Sequence, residues 1–362
     1  MLKHKIYLLL FICYYSGLLL AQSTTKPKVL IITTGGTIAS VTDSASIEGP
    51  ELIRAVPQLT EFANIEVEEF SNIGSSKMTP KLWLQLVQRI GVLLEESSDI
   101  TCIAITHGTD TMEETAFFLN LTHTKSIPIV LVGSMRASDE ISADWPANLL
   151  NAVRVGISEE AKGKGVMVVM NDNISAGRDL QKAHNRRVNA FQATDRGYLG
   201  FIDPEKVTFY QSPGKPHTVH SEFNVYELDS LPTVDIVQDF AGFDPDILAY
   251  FINRPNQGLV VSSFAGGRVS SGVAQSIKLP AEHKPIVVSS SIKGGRIMGA
   301  NPPGTPIIVA NDLPANKARI LLMLALTKTT NIGQIQDYFH RYLDEISSVI
   351  SQKLTADFRK RG

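Results

Sequence analysis

The sequence predicts an α/β protein with a mostly parallel sheet, followed by a second α/β unit. Short apolar, β-branched runs recur and stop abruptly at glycine- or hydroxyl-rich turns, as in Lys28–Thr33, Ile103–Thr106, Ile127–Val132 and Gly165–Met170. Runs of this kind suit strands covered on both faces, the condition of a parallel sheet. They alternate with helical segments, and the alternation resumes after a polar, proline-containing stretch at 213–232 that lacks periodicity. A length of 362 residues with 43% hydrophobic content is enough for two cores.

The first strand, Lys28-Val29-Leu30-Ile31-Ile32-Thr33, ends at Thr34-Gly35-Gly36-Thr37. Paired glycines let the backbone turn sharply and approach a ligand, so that N–H groups and neighbouring hydroxyls share one space. A nucleophile beside an oxyanion site has that requirement. Val41–Pro50 follows as a polar loop, Glu51–Phe62 carries Leu52, Ile53, Val56 and Leu59 at mixed helical spacing, and Ile65–Phe70 alternates as a strand. The loop Asn72–Met78 leads into Thr79-Pro80, a helix start with an N-cap and a first-turn proline, and the helix carries Leu82, Leu86, Ile90 and Leu94 on one face. A second junction, Ile103-Ala104-Ile105-Thr106-His107-Gly108-Thr109-Asp110-Thr111, runs into the acidic helix start Met112-Glu113-Glu114 and repeats the layout of the first. Ligands of an open parallel sheet collect beyond the carboxyl ends of its strands. Thr34 and Thr109 are therefore expected to meet at one crevice if their strands are neighbours. A helix over 147–156 and the strand ending at Asn171-Asp172-Asn173 continue the unit, and 177–196 is polar and basic. In the second unit 233–237, 259–261 and 285–290 read as strands, and 244–251, 269–277, 315–327 and 334–343 as helices.

Composition excludes some functions. A formal net charge of −2, with no long basic run apart from Arg359-Lys360-Arg361, leaves no footprint for nucleic acid. Lys3, His4 and Lys5 precede an apolar run from Ile6 to Leu20 and then Ala21, which reads as a secretory signal peptide over 1–21. The run is short for a membrane span, so the expectation is export with cleavage near Ala21 and no membrane association afterwards. The rest divides into units over 22–212 and 233–362 joined by a linker at 213–232. Cys102 is the one cysteine beyond the signal, which forbids an intramolecular disulfide and makes it core filler. No His/Cys/Asp/Glu cluster has metal-ligand spacing.

Several residues have bland readings. His107 reads as packing or hydrogen bonding at a strand end, and Asp110 as the N-cap of the following helix, a job it can combine with a functional one. Lys182 alone is a solvated charge in a basic loop. Asn120-Leu121-Thr122 fits a glycosylation acceptor but falls within an expected amphipathic helix.

Together the motifs resemble the L-asparaginase/glutaminase family of amidohydrolases, in particular its exported bacterial branch. Thr34-Gly35-Gly36-Thr37-Ile38-Ala39 resembles that family's first signature, and His107 to Thr115 its second. Asn72–Ser75, Val132–Arg136, Val168–Asp172, Gly177–Lys182 and Asn316–Leu322 extend the likeness. The resemblance implies a large amino-terminal and a smaller carboxyl-terminal α/β domain, assembly as a homotetramer of tight dimers, and hydrolysis of L-asparagine to L-aspartate and ammonia. It implies no metal or organic cofactor, and that Thr34 attacks the amide carbon to form an acyl-enzyme beside Gly35. Thr109, Lys182 and Asp110 match a second hydroxyl, lysine and carboxylate set. Ser75 and Asp110 match the positions that hold the substrate's α-carboxylate and α-amino groups.

Departures from the pattern bear on substrate. Val41–Pro50 lacks the tyrosine expected near Thr34, leaving Tyr198, Tyr210 or Tyr226, activation through Lys182, or a slow enzyme as the alternatives. Ser76 stands where the family commonly has a substrate-touching glutamine. Phe264–Val269 lacks the asparagine expected from a neighbouring subunit, and Arg268 is the candidate replacement for a contact to the α-carboxylate. Lys293–Thr305 is short and has no acidic residue. The nearest alternatives are L-glutamine as a substrate and, from another class, a secreted amino-acid-binding protein without turnover.

Overall fold

The computed structural model describes residues 25–36, 49–277, 284–297 and 307–343. The stretch at 1–21 expected to be a leader, the loop at 41–48 and part of 293–305 lie outside the described residues. The first unit contains strands β1 (Lys28–Thr33), β2 (Asn64–Glu69), β3 (Ile100–Thr106), β4 (Ile129–Val132), β5 (Val166–Met170) and β6 (Asn173–Ala176). A small pair, β7 (Leu180–Lys182) and β8 (Phe191–Ala193), precedes β9 (Gly200–Ile202) and β10 (Val207–Phe209). Its helices are α1 (Gly49–Ala55), α2 (Leu59–Phe62), α3 (Pro80–Glu96), α4 (Met112–Thr122) and α5 (Trp145–Gly156). The main sheet has the order β10-β9-β6-β5-β4-β3-β1-β2. Its β2-β1-β3-β4-β5 part is parallel, and β6, β9 and β10 extend it in antiparallel fashion.

The second unit stacks β11 (Val234–Gln238), β12 (Gly258–Ser263), β13 (Ile286–Ser290) and β14 (Ile307–Val309) in a parallel sheet. Its helices are α6 (Pro245–Asn253), α7 (Ser271–Ile277), α8 (Ala315–Leu326) and α9 (Ile332–Leu343). The protein is thus α/β, with a large, mostly parallel N-terminal sheet and a smaller parallel C-terminal one.

β1 shows why its sequence is apolar at every position. Val29 and Ile31 face a core with Cys102, Ala104, Val130 and the Leu149 side of α5. Leu30 and Ile32 face a core with Ile103, Ile105, α3 and α4. Four buried apolar side chains, each contributing roughly 1.5–3 kcal/mol, hold β1 in the middle of the sheet. Thr34, which follows it, inherits that fixed position. Cys102 is fully buried in the same core, where burial pushes its thiol well above the usual range.

The structure changes several element readings. The helical stretch at 51–62 is broken into α1 and α2 around Pro57, which lacks an N–H and disfavours helical geometry in the residue before it. On α3 the buried face includes Trp83 and Val87, with Leu82 and Leu94 only partly covered. Trp83 turns inward because its ring stacks on Phe118 of α4 at 5.6 Å and its Nε1–H donates to Thr115 Oγ1 at 2.8 Å. Helix α4 is buried all round instead of amphipathic, because it packs against α8 between the two sheets. Asn120 is accordingly buried, and its side-chain oxygen accepts the Val166 N–H at 3.0 Å. Asn171 and Asp172, with φ of 50° and 62°, form the two-residue turn of the β5–β6 hairpin. The segment 213–232 is packed down rather than loose: Phe223 is fully buried and stacks on Tyr342 of α9 at 5.3 Å. The β7–β8 pair and β14 had no periodicity to announce them, since each strand is three residues long.

Candidate active site

The chain leaves β1 for β2 on one side and then crosses to β3 on the other, so the topological switch lies between β1 and β3. A crevice outside the carboxyl ends of the strands forms at such a point. Thr34 sits there, 2% exposed, with its N–H donating to the Thr106 carbonyl at 3.2 Å and its Oγ1 donating to the same oxygen at 2.8 Å. The turn that follows is possible only with glycine: Gly35 and Gly36 have φ of 92° and 90°. A Cβ on Gly35 would lie 2.5 Å from Ile73 N, and one on Gly36 2.3 Å from Gly108 Cα. The two signatures and the loop at 72–75 therefore pack backbone against backbone.

The second set assembles on the neighbouring turn. Lys182 Nζ donates to Thr109 Oγ1 at 2.8 Å and to Asp110 Oδ1 at 2.9 Å. Ser75, buried in a short 3₁₀ turn at Ser75–Lys77, accepts the Asp110 N–H on its Oγ at 3.0 Å, and its carbonyl accepts from Thr111 Oγ1 at 2.8 Å. Ser76 is exposed beside it. Asp110 is not the cap of α4. Thr111 occupies the N-cap position, and the Asp110 carboxyl, 64% exposed, turns to Lys182 instead. Thr34, Gly35, Ser75, Thr109, Asp110 and Lys182 thus come from four separate segments, those after β1, β2 and β3 and the strand β7. This arrangement offers a hydroxyl, an amine donor and an exposed carboxylate at the carboxyl ends of neighbouring parallel strands.

Among the three candidate tyrosines, only Tyr198 contacts the β7–β8 pair, at the residue opposite Lys182. Tyr198 donates its hydroxyl to the Phe191 carbonyl on β8, Tyr210 is 69% exposed and stacks on Phe201, and Tyr226 packs against Gly91 far along α3 from Ser75. Residues without a legible role take part in support. Glu113, buried, accepts the Lys182 N–H at 2.8 Å on one carboxylate oxygen and Asn316 Nδ2 at 2.8 Å on the other. Arg178 pairs with Asp179 and Asp312 at 2.7 Å each, tying the strand of Lys182 to the second unit. Glu113 read only as part of an acidic helix start, and no spacing linked it to Asn316. Among the described residues no group of three or more His, Cys, Asp or Glu is arranged to hold a metal ion.

His107 is a structural histidine. It is fully buried, with Nδ1 2.7 Å from the Gly108 carbonyl and Nε2 2.9 Å from Thr115 Oγ1, whose oxygen already accepts from Trp83. Those partners assign the proton to Nδ1, with Nε2 accepting from Thr115. Burial pulls His107 down to about 4, and burial does the same to His123. Their folded values lie below the ordinary 6.5, so the unfolded chain binds protons that the folded chain refuses. The stability at stake is fully present above that ordinary value and is lost as pH falls toward 4, on the order of 3 kcal/mol per residue. In an imidazole NMR titration, two of the eight histidines are expected to stay neutral between about pH 7 and 5. Protonation of His107 in that interval would contradict the assignment.

Comparison with known proteins agrees along both units. A family profile described as "Asparaginase, N-terminal" matches residues 28–215, and one described as "Glutaminase/Asparaginase C-terminal domain" matches residues 233–339. The chain is 38% identical over 333 residues to the L-asparaginase 2 of Bacillus subtilis (strain 168), covering 89% of this chain and 88% of the relative. It is 39% identical over 333 residues to the glutaminase-asparaginase of Acinetobacter glutaminasificans, covering 88% and 100%. A crystal structure of a probable cytoplasmic L-asparaginase from Campylobacter jejuni superposes with a TM-score of 0.83 at 42% identity, over 88% of this chain and all of that one.

Proposed function

The chain belongs to the asparaginase family, and on that premise we propose that it is an L-asparaginase working through a threonine ester. Thr34 Oγ attacks the carboxamide carbon of L-asparagine, the C–N bond breaks and ammonia leaves with a proton. Water then adds to the ester on Thr34, the ester C–O bond breaks, and L-aspartate departs. Thr109 and Lys182 carry protons for these steps, Lys182 acting as a base only in its amine form. Ser75 and Asp110 orient the substrate's α-carboxylate and α-amino groups, with Gly35 and Ser76 lining the same pocket.

One observation carries this reading: a lysine amine group within hydrogen-bond reach of a hydroxyl and a carboxylate on the turn after β3, the neighbour of the strand that leads into Thr34. L-Glutamine is a second candidate substrate, favoured by the glutaminase-asparaginase relative. The exposed Ile236, Phe240, Ile247, Tyr250 and Phe264 of the second unit supply apolar surface for a homotetramer built as a dimer of dimers. In such an assembly Arg268 would reach a neighbour's substrate. Export to the periplasm or beyond rests on the leader at 1–21. Among the described residues no helix is long and apolar enough to cross a membrane.

Ammonia release from L-asparagine and L-glutamine by the purified chain tests the proposal. Turnover of L-asparagine is the expected result. If neither amide is hydrolysed while L-aspartate still raises the melting temperature, the chain is an amino-acid-binding protein and the enzymatic reading falls.

A further inference from the structure

Lys182 does not stand on the main sheet. Among the described residues its strand, β7, pairs with β8 alone in a two-stranded sheet, an element that is marginal on its own. The position of Lys182 relative to Thr109 must therefore be set from outside that pair, and the contacts on β7 show by what. Lys317, the third residue of α8, is fully buried, and its Nζ donates to the Arg178 carbonyl at 2.5 Å and to the Leu180 carbonyl at 2.6 Å. Its ammonium also lies 5.9 Å from the centre of the Phe117 ring on α4.

The residue before it completes the hold: Asn316 fixes Glu113, and Glu113 accepts the N–H of Lys182 itself. Lys293 adds a contact to the Lys182 carbonyl at 3.3 Å and accepts from Gln181 at 2.8 Å. Burial pulls the Lys317 ammonium down to about 8, with Glu113 and Asp179 opposing that pull. A buried ammonium costs several kcal/mol of desolvation, and an apolar side chain of similar length would avoid it. Stability alone does not account for a lysine at this position, whereas holding a three-residue strand in one place does.

We propose that Lys317 is a positioning residue, which clamps the backbone of β7 from the second unit and so sets the reach of Lys182 to Thr109. The proposal rests on the reading of Lys182 and Thr109 as the proton path. Through this clamp the C-terminal unit governs the geometry of a site whose reacting groups all belong to the N-terminal unit.

The test compares Lys317→Met, Lys182→Met and the double variant in the full chain. Lys317→Met keeps the length and removes the donors. It is expected to lower kcat about 10²-fold, the effect of displacing a reacting group by roughly 1 Å, with KM for L-asparagine within about threefold. In the Lys182→Met background the same change is expected to add less than about threefold, because the two residues act through one group. A purely structural role predicts losses that multiply, and that result would overturn the proposal. So would wild-type kcat in Lys317→Met while Lys182→Met is impaired. Unimpaired Lys182→Met would instead remove the proton-path reading beneath it. Should Lys317→Met fail to fold, Asn316→Ala loosens the same strand through Glu113, with a fall in kcat that again vanishes in the Lys182→Met background. Losses that multiply there would refute the clamp.

Discussion

Thr34→Ala is expected to lower kcat for L-asparagine by about 10⁴-fold or more while L-aspartate still binds. The size of the effect follows from the chemistry: without the hydroxyl no ester forms, and water would have to attack the amide directly. The variant should remain folded. Thr34 Oγ1 makes one described hydrogen bond, to a carbonyl that still receives the Thr34 N–H, so its removal costs on the order of 1 kcal/mol. Steady-state ammonia release, with a thermal shift by L-aspartate as the control, checks both halves. Full activity in Thr34→Ala would exclude Thr34 as the nucleophile.

The second large effect belongs to Lys182→Met, expected to reduce kcat by about 10²–10⁴-fold with a much smaller change in KM. Lys182 Nζ is 2.8 Å from Thr109 Oγ1 and 2.9 Å from Asp110, and only 19% of its side chain is exposed. Methionine fills the same volume but can neither take a proton from Thr109 nor neutralise Asp110. A rise in KM at constant kcat would show that Lys182 serves ground-state binding alone, and would move the proton path elsewhere.

How much of this was legible follows from what each residue depends on. Thr34 could be placed because a run buried on both faces and a double-glycine turn are local features. Thr109 could be placed beside it because ligands gather at the carboxyl ends of parallel strands, and the structure makes β1 and β3 neighbours. Lys182 needed the family likeness, since its strand is three residues long and is held by α8, more than a hundred residues away. Glu113 and Lys317 were invisible as buried groups, because a charge in a sequence reads as solvated until its partner is known. Helix α4 misled for a related reason: lying between two sheets it has no solvent face, so the polar stripe expected of a surface helix is missing. The split at Pro57 was readable in principle from proline chemistry, but apolar spacing on either side of it masked the break.

The most direct measurement is chemical trapping of the intermediate, by acid quench during turnover of L-asparagine followed by peptide mass mapping. The account predicts one aspartyl ester, carried by the peptide that contains Thr34. An ester on the peptide containing Thr109, or a release of ammonia that never runs ahead of L-aspartate and leaves no adduct anywhere, would contradict it.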